Sequence, residues 1–173
     1  WAGLPPLAVQ EIRLAIGDGA KALIQRTVPF PGPVEEPLRH FIGYYGTHFA
    51  VRTRLYPGVL EVLEASRGRI RTVLTNKPER ISRKILLELG VSEHFESVIG
   101  GDSLTTRKPD PAGVKELMSR HSVVSDDVLL IGDYHTYGQS QRAVLRLLRE
   151  LVRKIPPREM VLGMECISSR HQT

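Results

Sequence analysis

The chain has 173 residues, of which 41% are hydrophobic and 25% charged, with a formal net charge of +5. That is enough for one core, or a core with a small satellite domain, and the composition is of soluble globular type. No apolar run approaches the ~18 residues of a membrane-spanning helix, so no membrane span is expected. No basic-then-apolar leader precedes a small-residue cleavage site. The single cysteine, Cys166, excludes an internal disulfide and a Cys-rich zinc site, and a reducing cytoplasm is the expected compartment. The chain opens on Trp1, which points to a processed or truncated start. The basic excess is uneven. Residues 1–137 hold 17 Lys and Arg against 16 Asp and Glu, whereas residues 138–173 hold 7 against 3. A basic tail can attract nucleic acid or anionic lipid. No aromatic-studded or zinc-binding motif accompanies it, so nucleic acid is not expected as a partner.

The first ~55 residues read as helical. Ala8 to Ile16 and Ala20 to Ile24 form two short helices broken by Gly17-Asp18-Gly19. Pro29 to Pro33 is a loop. Leu38, Phe41, Ile42, Tyr45 and Phe49 then recur on one face of a longer helix. At Tyr56-Pro57-Gly58 the pattern changes to alternating helix and strand: helix Val59 to Ser66, strand Ile70 to Thr75, a helix opened by Pro78 and closed by Gly90, strand Ser97 to Gly100, a helix from Pro111 to about Arg120, and the apolar run Val128 to Ile131. Prolines suit first helical turns, and a continuous apolar run is the mark of a buried parallel strand. Such alternation predicts βαβ units and a parallel sheet. After Gly138, Val144, Leu147, Leu148, Leu151, Val152 and Ile155 make one helical face and Arg142, Arg146, Arg149 and Arg153 the opposite one, up to Pro156-Pro157. The expected organisation is a helical cap over 1–54, an incomplete Rossmann-like core over 55–137, and a basic amphipathic helix with an irregular tail over 138–173.

Three segments carry chemistry: Thr75-Asn76, Arg107-Lys108-Pro109-Asp110-Pro111 and Gly132-Asp133. A hydroxyl, an ammonium and a carboxylate all fall where predicted strands end, the usual ligand edge of an open α/β sheet. Taken singly, each has a plainer reading. Thr75-Asn76 can cap the helix after Pro78, Lys108 can be a solvated loop lysine, and Asp133 can cap a following helix. Arg107 reads as a surface charge, and the six histidines show no metal-ligand spacing; His135, two residues from Asp133, is a weak ligand candidate whose plainer reading is a loop residue.

Together the three read differently. VLTNKPER (Val73–Arg80), GGDSLTTRKPDP (Gly100–Pro111) and DDVLLIGD (Asp126–Asp133), in that order, resemble the haloacid dehalogenase superfamily of phosphohydrolases, and within it the bacterial phosphoglycolate phosphatases. GLPPL, IGDGAKALI and LYPGVLEVL are similar to that subfamily too, and the likeness runs roughly from Gly3 to Thr136. The resemblance implies an α/β fold with a helical cap and Mg-dependent hydrolysis of a small phosphate monoester such as 2-phosphoglycolate. The reaction would pass through an aspartyl-phosphate, with magnesium offsetting repulsion between two anions. It implies that Thr75 and Asn76 hold phosphate, that Lys108 neutralises the phosphoryl group, and that Asp133 helps hold magnesium. For Gly17-Asp18-Gly19 two readings stand side by side: a substrate-selecting loop that includes Asp18, and a plain helix N-cap by Asp18.

The pattern also departs from the family. The resemblance calls for an Asp-x-Asp-Gly-Thr nucleophile strand, and no Asp-x-Asp occurs in the chain. The position for a second acidic residue after Asp133 holds Tyr137. The chain is therefore expected to be a fragment or inactive copy of a phosphoric monoester hydrolase, and the alternative is a non-catalytic interaction or regulatory protein using the basic C-terminal helix. In the family the nucleophile strand lies between the strands ending at Thr75 and Asp133. Without it, residues 70–75 and 127–132 are expected either to pair directly or to keep exposed edges. The tail, where only Met160 to Gly163 looks strand-like, is expected to be a poor substitute.

Overall fold

The computed structural model describes residues 3–131, four separate positions between 146 and 154, and 161–164. Three helices lead the chain: α1 (Val9–Ala15), α2 (Ala20–Thr27) and α3 (Glu35–His48). Gly17 and Gly19, with φ of 134° and 91°, turn the chain between α1 and α2 through conformations that side chains with a Cβ rarely adopt. The predicted α3 stripe of Leu38, Phe41, Ile42, Tyr45 and Phe49 is half-buried.

The alternating part follows as α4 (Val59–Ala65), β1 (Arg71–Leu74), α5 (Glu79–Glu88), β2 (Ser97–Ile99), α6 (Ala112–His121) and β3 (Val128–Ile131). A last strand, β4 (Val161–Met164), comes from the tail. Among the described residues these four strands form one parallel sheet in the order β2-β1-β4-β3. Successive side chains of a strand face opposite sides of a sheet, and β1 shows this directly. Val73 packs with Val98 against Val59, Val62, Leu63 and Leu86, while Leu74 packs with Ile99 against Leu117. The β1–β2 part of the sheet is thus covered on both faces, by α4 and α5 on one and α6 on the other, as buried parallel strands are. Among the described residues no helix is long and apolar enough to cross a membrane.

Two expectations are corrected here. First, β1 and β3 neither pair directly nor leave a gap. β4 sits between them, with Thr72 opposite Gly163 on one side and Leu130 opposite Gly163 on the other. The tail at this point is not irregular. The physical reason is the one that made a gap costly: two facing strand edges present rows of unmade backbone hydrogen bonds, and a short extended segment running parallel to both satisfies them. Second, Val128–Ile131 is a strand but not a buried one. Among the described strands it lies at one edge of the sheet, as β2 does at the other, but β2 is buried throughout whereas Leu130 is 56% exposed.

Of the predicted basic helix, Arg146, Glu150, Arg153 and Lys154 are helical and exposed, and Arg153 pairs with Glu150 at 3.4 Å. The rest of that helix, along with Asp133, His135, Tyr137 and Cys166, lies outside the described residues.

Candidate active site

The site is built on the turn that leaves β1. Thr75 continues the β1–β2 ladder one step past Leu74, its N–H donating to the Ile99 carbonyl at 2.9 Å. The strand then ends because the Thr75 hydroxyl accepts the Lys77 N–H at 3.2 Å, a side-chain turn that draws the backbone out of extended geometry. Thr75 is only 9% exposed, so its hydroxyl is fixed at the C-terminal edge of the sheet. Thr75 does not cap α5. The residue in that place is Pro78, which makes no side-chain cap hydrogen bond.

Asn76 joins three segments. Its Nδ2 donates to the Lys108 carbonyl at 3.1 Å and to the Gly17 carbonyl at 3.1 Å. The loop bearing Lys108 and the loop between α1 and α2 therefore meet at one amide. Lys77, next along, donates from Nζ to the Tyr45 hydroxyl of α3 at 2.7 Å and lies 5.0 Å from the centre of that ring.

The turn after β2 closes against the same region. The Gly101 N–H donates to the Lys77 carbonyl at 2.9 Å. A Cβ on Gly101 would come within 2.3 Å of the Asn76 carbonyl oxygen, so this approach admits only glycine. Asp102 Oδ1 accepts the Glu79 N–H at 2.7 Å. It thereby supplies, from across the chain, the cap that Pro78 cannot give to the orphan donors of α5. Ser103 Oγ accepts the Gly100 N–H at 2.8 Å and donates to the Glu79 carboxylate. Burial pushes the Glu79 carboxyl up, but hydrogen bonds from Ser103 and Arg83, with the charges of Arg83 and Arg120, outweigh it and hold the group below its ordinary value. Farther along, Asp110 Oδ1 accepts the Ala112 N–H at 2.8 Å at the start of α6, and the Lys108–Pro109 peptide is cis. The carboxylates of Asp102 and Asp110 are thus engaged with backbone donors at helix starts, beside a loop that carries Arg107 and Lys108.

The structure brings Thr75, Asn76 and the Lys108 backbone together at one sheet edge. Asp133 lies outside the described residues, although β3, which leads toward it in sequence, is parallel to β4 and so to β1. Asp18 is not the N-cap of α2. That place is taken by Gly19 with no side-chain cap, because the Asp18 carboxylate is drawn to Arg26 at 2.5 Å. Its neighbour Gly17, through the backbone, is what reaches Asn76. Arg107 is exposed, but its Nη1 lies 3.0 Å from where a Gly19 Cβ would stand, so it packs along the α1–α2 loop. Among the described residues no three His, Cys, Asp or Glu side chains gather into a cation site. Sequence reasoning missed the bracing roles of Glu79, Asp102 and Ser103 and the Lys77–Tyr45 contact. The signal for the first was present: a helix opened by Pro78 needs its cap from elsewhere, and Gly100-Gly101-Asp102-Ser103 offers one.

Comparison with known proteins agrees with the α/β fold. The sequence profile of a family described as haloacid dehalogenase-like hydrolase matches residues 2–143. Phosphoglycolate phosphatase 1 of Pseudomonas aeruginosa is 34% identical over 141 residues, covering 76% of this chain and 52% of that protein. N-acetylmuramic acid 6-phosphate phosphatase of the same organism is 36% identical over 136 residues, covering 76% and 60%. This chain therefore spans between half and two thirds of the length of those curated relatives. The crystal structure of a predicted phosphoglycolate phosphatase from Haemophilus somnus 129pt superposes with a TM-score of 0.69 at 27% identity, covering 96% of this chain and 74% of that one.

Proposed function

The chain belongs to the haloacid dehalogenase-like hydrolase family, and we propose that its sheet edge holds the phosphate of a small phosphorylated metabolite, 2-phosphoglycolate being the favoured substrate. The observation that carries this reading is the Asn76 junction, which places the Thr75 turn and the Lys108 loop at one edge though they are 32 residues apart. In this reading the Thr75 hydroxyl donates to a phosphate oxygen and the Lys108 ammonium offsets the phosphoryl charge. Asn76 orients the turn, and the loop containing Asp18 helps select the rest of the substrate.

A lysine and a hydroxyl bind and polarise a phosphate ester but do not attack phosphorus. The nucleophile of the aspartyl-phosphate route is an aspartate of an Asp-x-Asp pair, and these 173 residues contain none. The proposal therefore includes that this chain, as given, binds phosphate without turning it over. Magnesium enters the proposal through Asp133, since hard cations take carboxylate oxygens. The described residues do not form a cation site by themselves, so no step is routed through the metal. The cytoplasm is the proposed compartment.

Calorimetric titration with inorganic phosphate tests the reading. Lys108→Ala should weaken phosphate binding by at least about tenfold, equivalent to ~1.4 kcal/mol. In parallel, incubation with magnesium and 2-phosphoglycolate should release no phosphate above background. Equal affinity in wild type and Lys108→Ala would contradict the site, and turnover by the 173-residue chain would contradict the nucleophile argument.

A further inference from the structure

We propose that Asn76 is a positioning residue that makes the α1–α2 loop and the Lys108 loop respond as one unit to an anion at the sheet edge. The inference rests on the phosphate-site reading and adds to it a route by which phosphate is sensed by the cap.

A carboxamide has two N–H donors on one nitrogen, and both are used here. One goes to the Gly17 carbonyl, 59 residues away in sequence, and the other to the Lys108 carbonyl, 32 residues away. The acceptors belong to different parts of the fold. Gly17 precedes α2 in the cap, and Lys108 precedes α6 in the core. The orientation of the amide is set by these two contacts. Its Oδ1 is buried and has no protein partner, and turning the group over would aim that oxygen at two carbonyl oxygens. The backbone of Asn76 is equally constrained, because its carbonyl oxygen lies 2.3 Å from the Cβ position of Gly101 and 3.3 Å from that of Gly19. Two glycines, one from the β2 turn and one from the cap loop, thus close on the same peptide. Asn76 is short, and its neighbour Thr75 is pinned to β2. A shift of the Lys108 loop on binding an anion therefore cannot be absorbed by the amide without lengthening the bond to Gly17.

The second cap contact of this turn, Lys77 to Tyr45, goes to α3 and not to the α1–α2 loop. It ties cap to core but lies off the path from Lys108 to Gly17. That separation gives the control.

Residue-resolved amide hydrogen exchange with and without inorganic phosphate tests the proposal. In the wild-type chain, saturating phosphate should slow exchange both at residues 105–110 and at residues 17–21, by roughly three- to tenfold at each, the range one hydrogen bond allows. In Asn76→Asp, which removes both donors and adds a charge that weakens phosphate binding, phosphate is raised until residues 105–110 respond, and slowing at 17–21 should then no longer accompany it. In Tyr45→Phe both should persist. Absence of any effect at 105–110 in the wild type would overturn the phosphate site and the coupling with it. Slowing at 105–110 that never reaches 17–21 in the wild type would overturn the coupling alone, and so would undiminished slowing at 17–21 in Asn76→Asp. Where a variant folds poorly the wild-type comparison still tests the coupling, because slowing confined to 105–110 overturns it.

Discussion

The two halves of the sheet are built to different standards. In the β2–β1 half every strand residue is buried, both faces are covered, and the turns that leave the strands are cross-braced by Lys77–Gly101, Glu79–Asp102 and Glu79–Ser103. In the β4–β3 half the outer strand is only half-buried, with Leu130 exposed, and its inner neighbour is a four-residue strand from the far end of the chain. The half that carries the Thr75 turn is also the one whose sequence alternates cleanly between strand and helix. The lesson is that local pattern and site geometry travel together. Where each strand is followed by a helix that packs back on it, the loop between them is fixed well enough to present a hydroxyl or a backbone donor to a ligand.

The comparison breaks first on core packing. Leu63, fully buried against β1, should cost about 2–5 kcal/mol when cut to alanine. Leu130→Ala in β3 should change stability by no more than ~0.5 kcal/mol. Urea unfolding of the two variants measures this, and equal losses would erase the distinction between the halves.

Gly101→Ala addresses the bracing. The added methyl would meet the Asn76 carbonyl oxygen at 2.3 Å, so the expected cost is about 1–3 kcal/mol from overpacking. Phosphate affinity should fall with it, because the displaced backbone is the one that follows Thr75. A variant as stable and as competent in phosphate titration as the wild type would show that the close approach is not needed.

The smallest expected effect is electrostatic. The Glu79 carboxyl is held below its ordinary value in the folded chain. The unfolded state thus takes up this proton first as pH falls. The stabilisation is complete above the ordinary carboxylate range and is lost as pH drops through the folded value. Between about pH 5 and about pH 3 the melting temperature of Glu79→Gln should fall less steeply than that of the wild type. Parallel slopes would remove Glu79 from the account.

Much of this fold was legible in the chain itself. The run from α4 to β3 follows from alternation and from proline and glycine at helix ends, and the observed Val128–Ile131 strand coincides with its apolar run. What stayed hidden was long-range. Nothing near Gly17 or Asn76 announces that they will meet across 59 residues, and Asp102 becomes a cap only once β2 brings it to α5. β4 was under-read for a related reason. It contains Gly163, a poor strand former, and its extended form depends on two partners, β1 and β3, that supply hydrogen bonds from both sides. The burial of β3 was over-read because an apolar run reports composition and not how much of the strand its neighbours cover: β2, also an edge strand, is buried throughout and β3 is not. Of the proposed site, Thr75 and Lys108 were legible as motif residues, and the bracing around them was not.

The central claim is that β4 closes the space between β1 and β3, so that one continuous parallel sheet carries the site. Amide hydrogen exchange on the monomeric chain, read at Val161–Met164 together with Arg71–Leu74 and Val128–Ile131, tests it most directly. The account predicts protection of amides within β4 and on the edges of β1 and β3 that face it, with β1 the most protected. Rapid exchange throughout Val161–Met164, with the facing edges of β1 and β3 equally open, would contradict it.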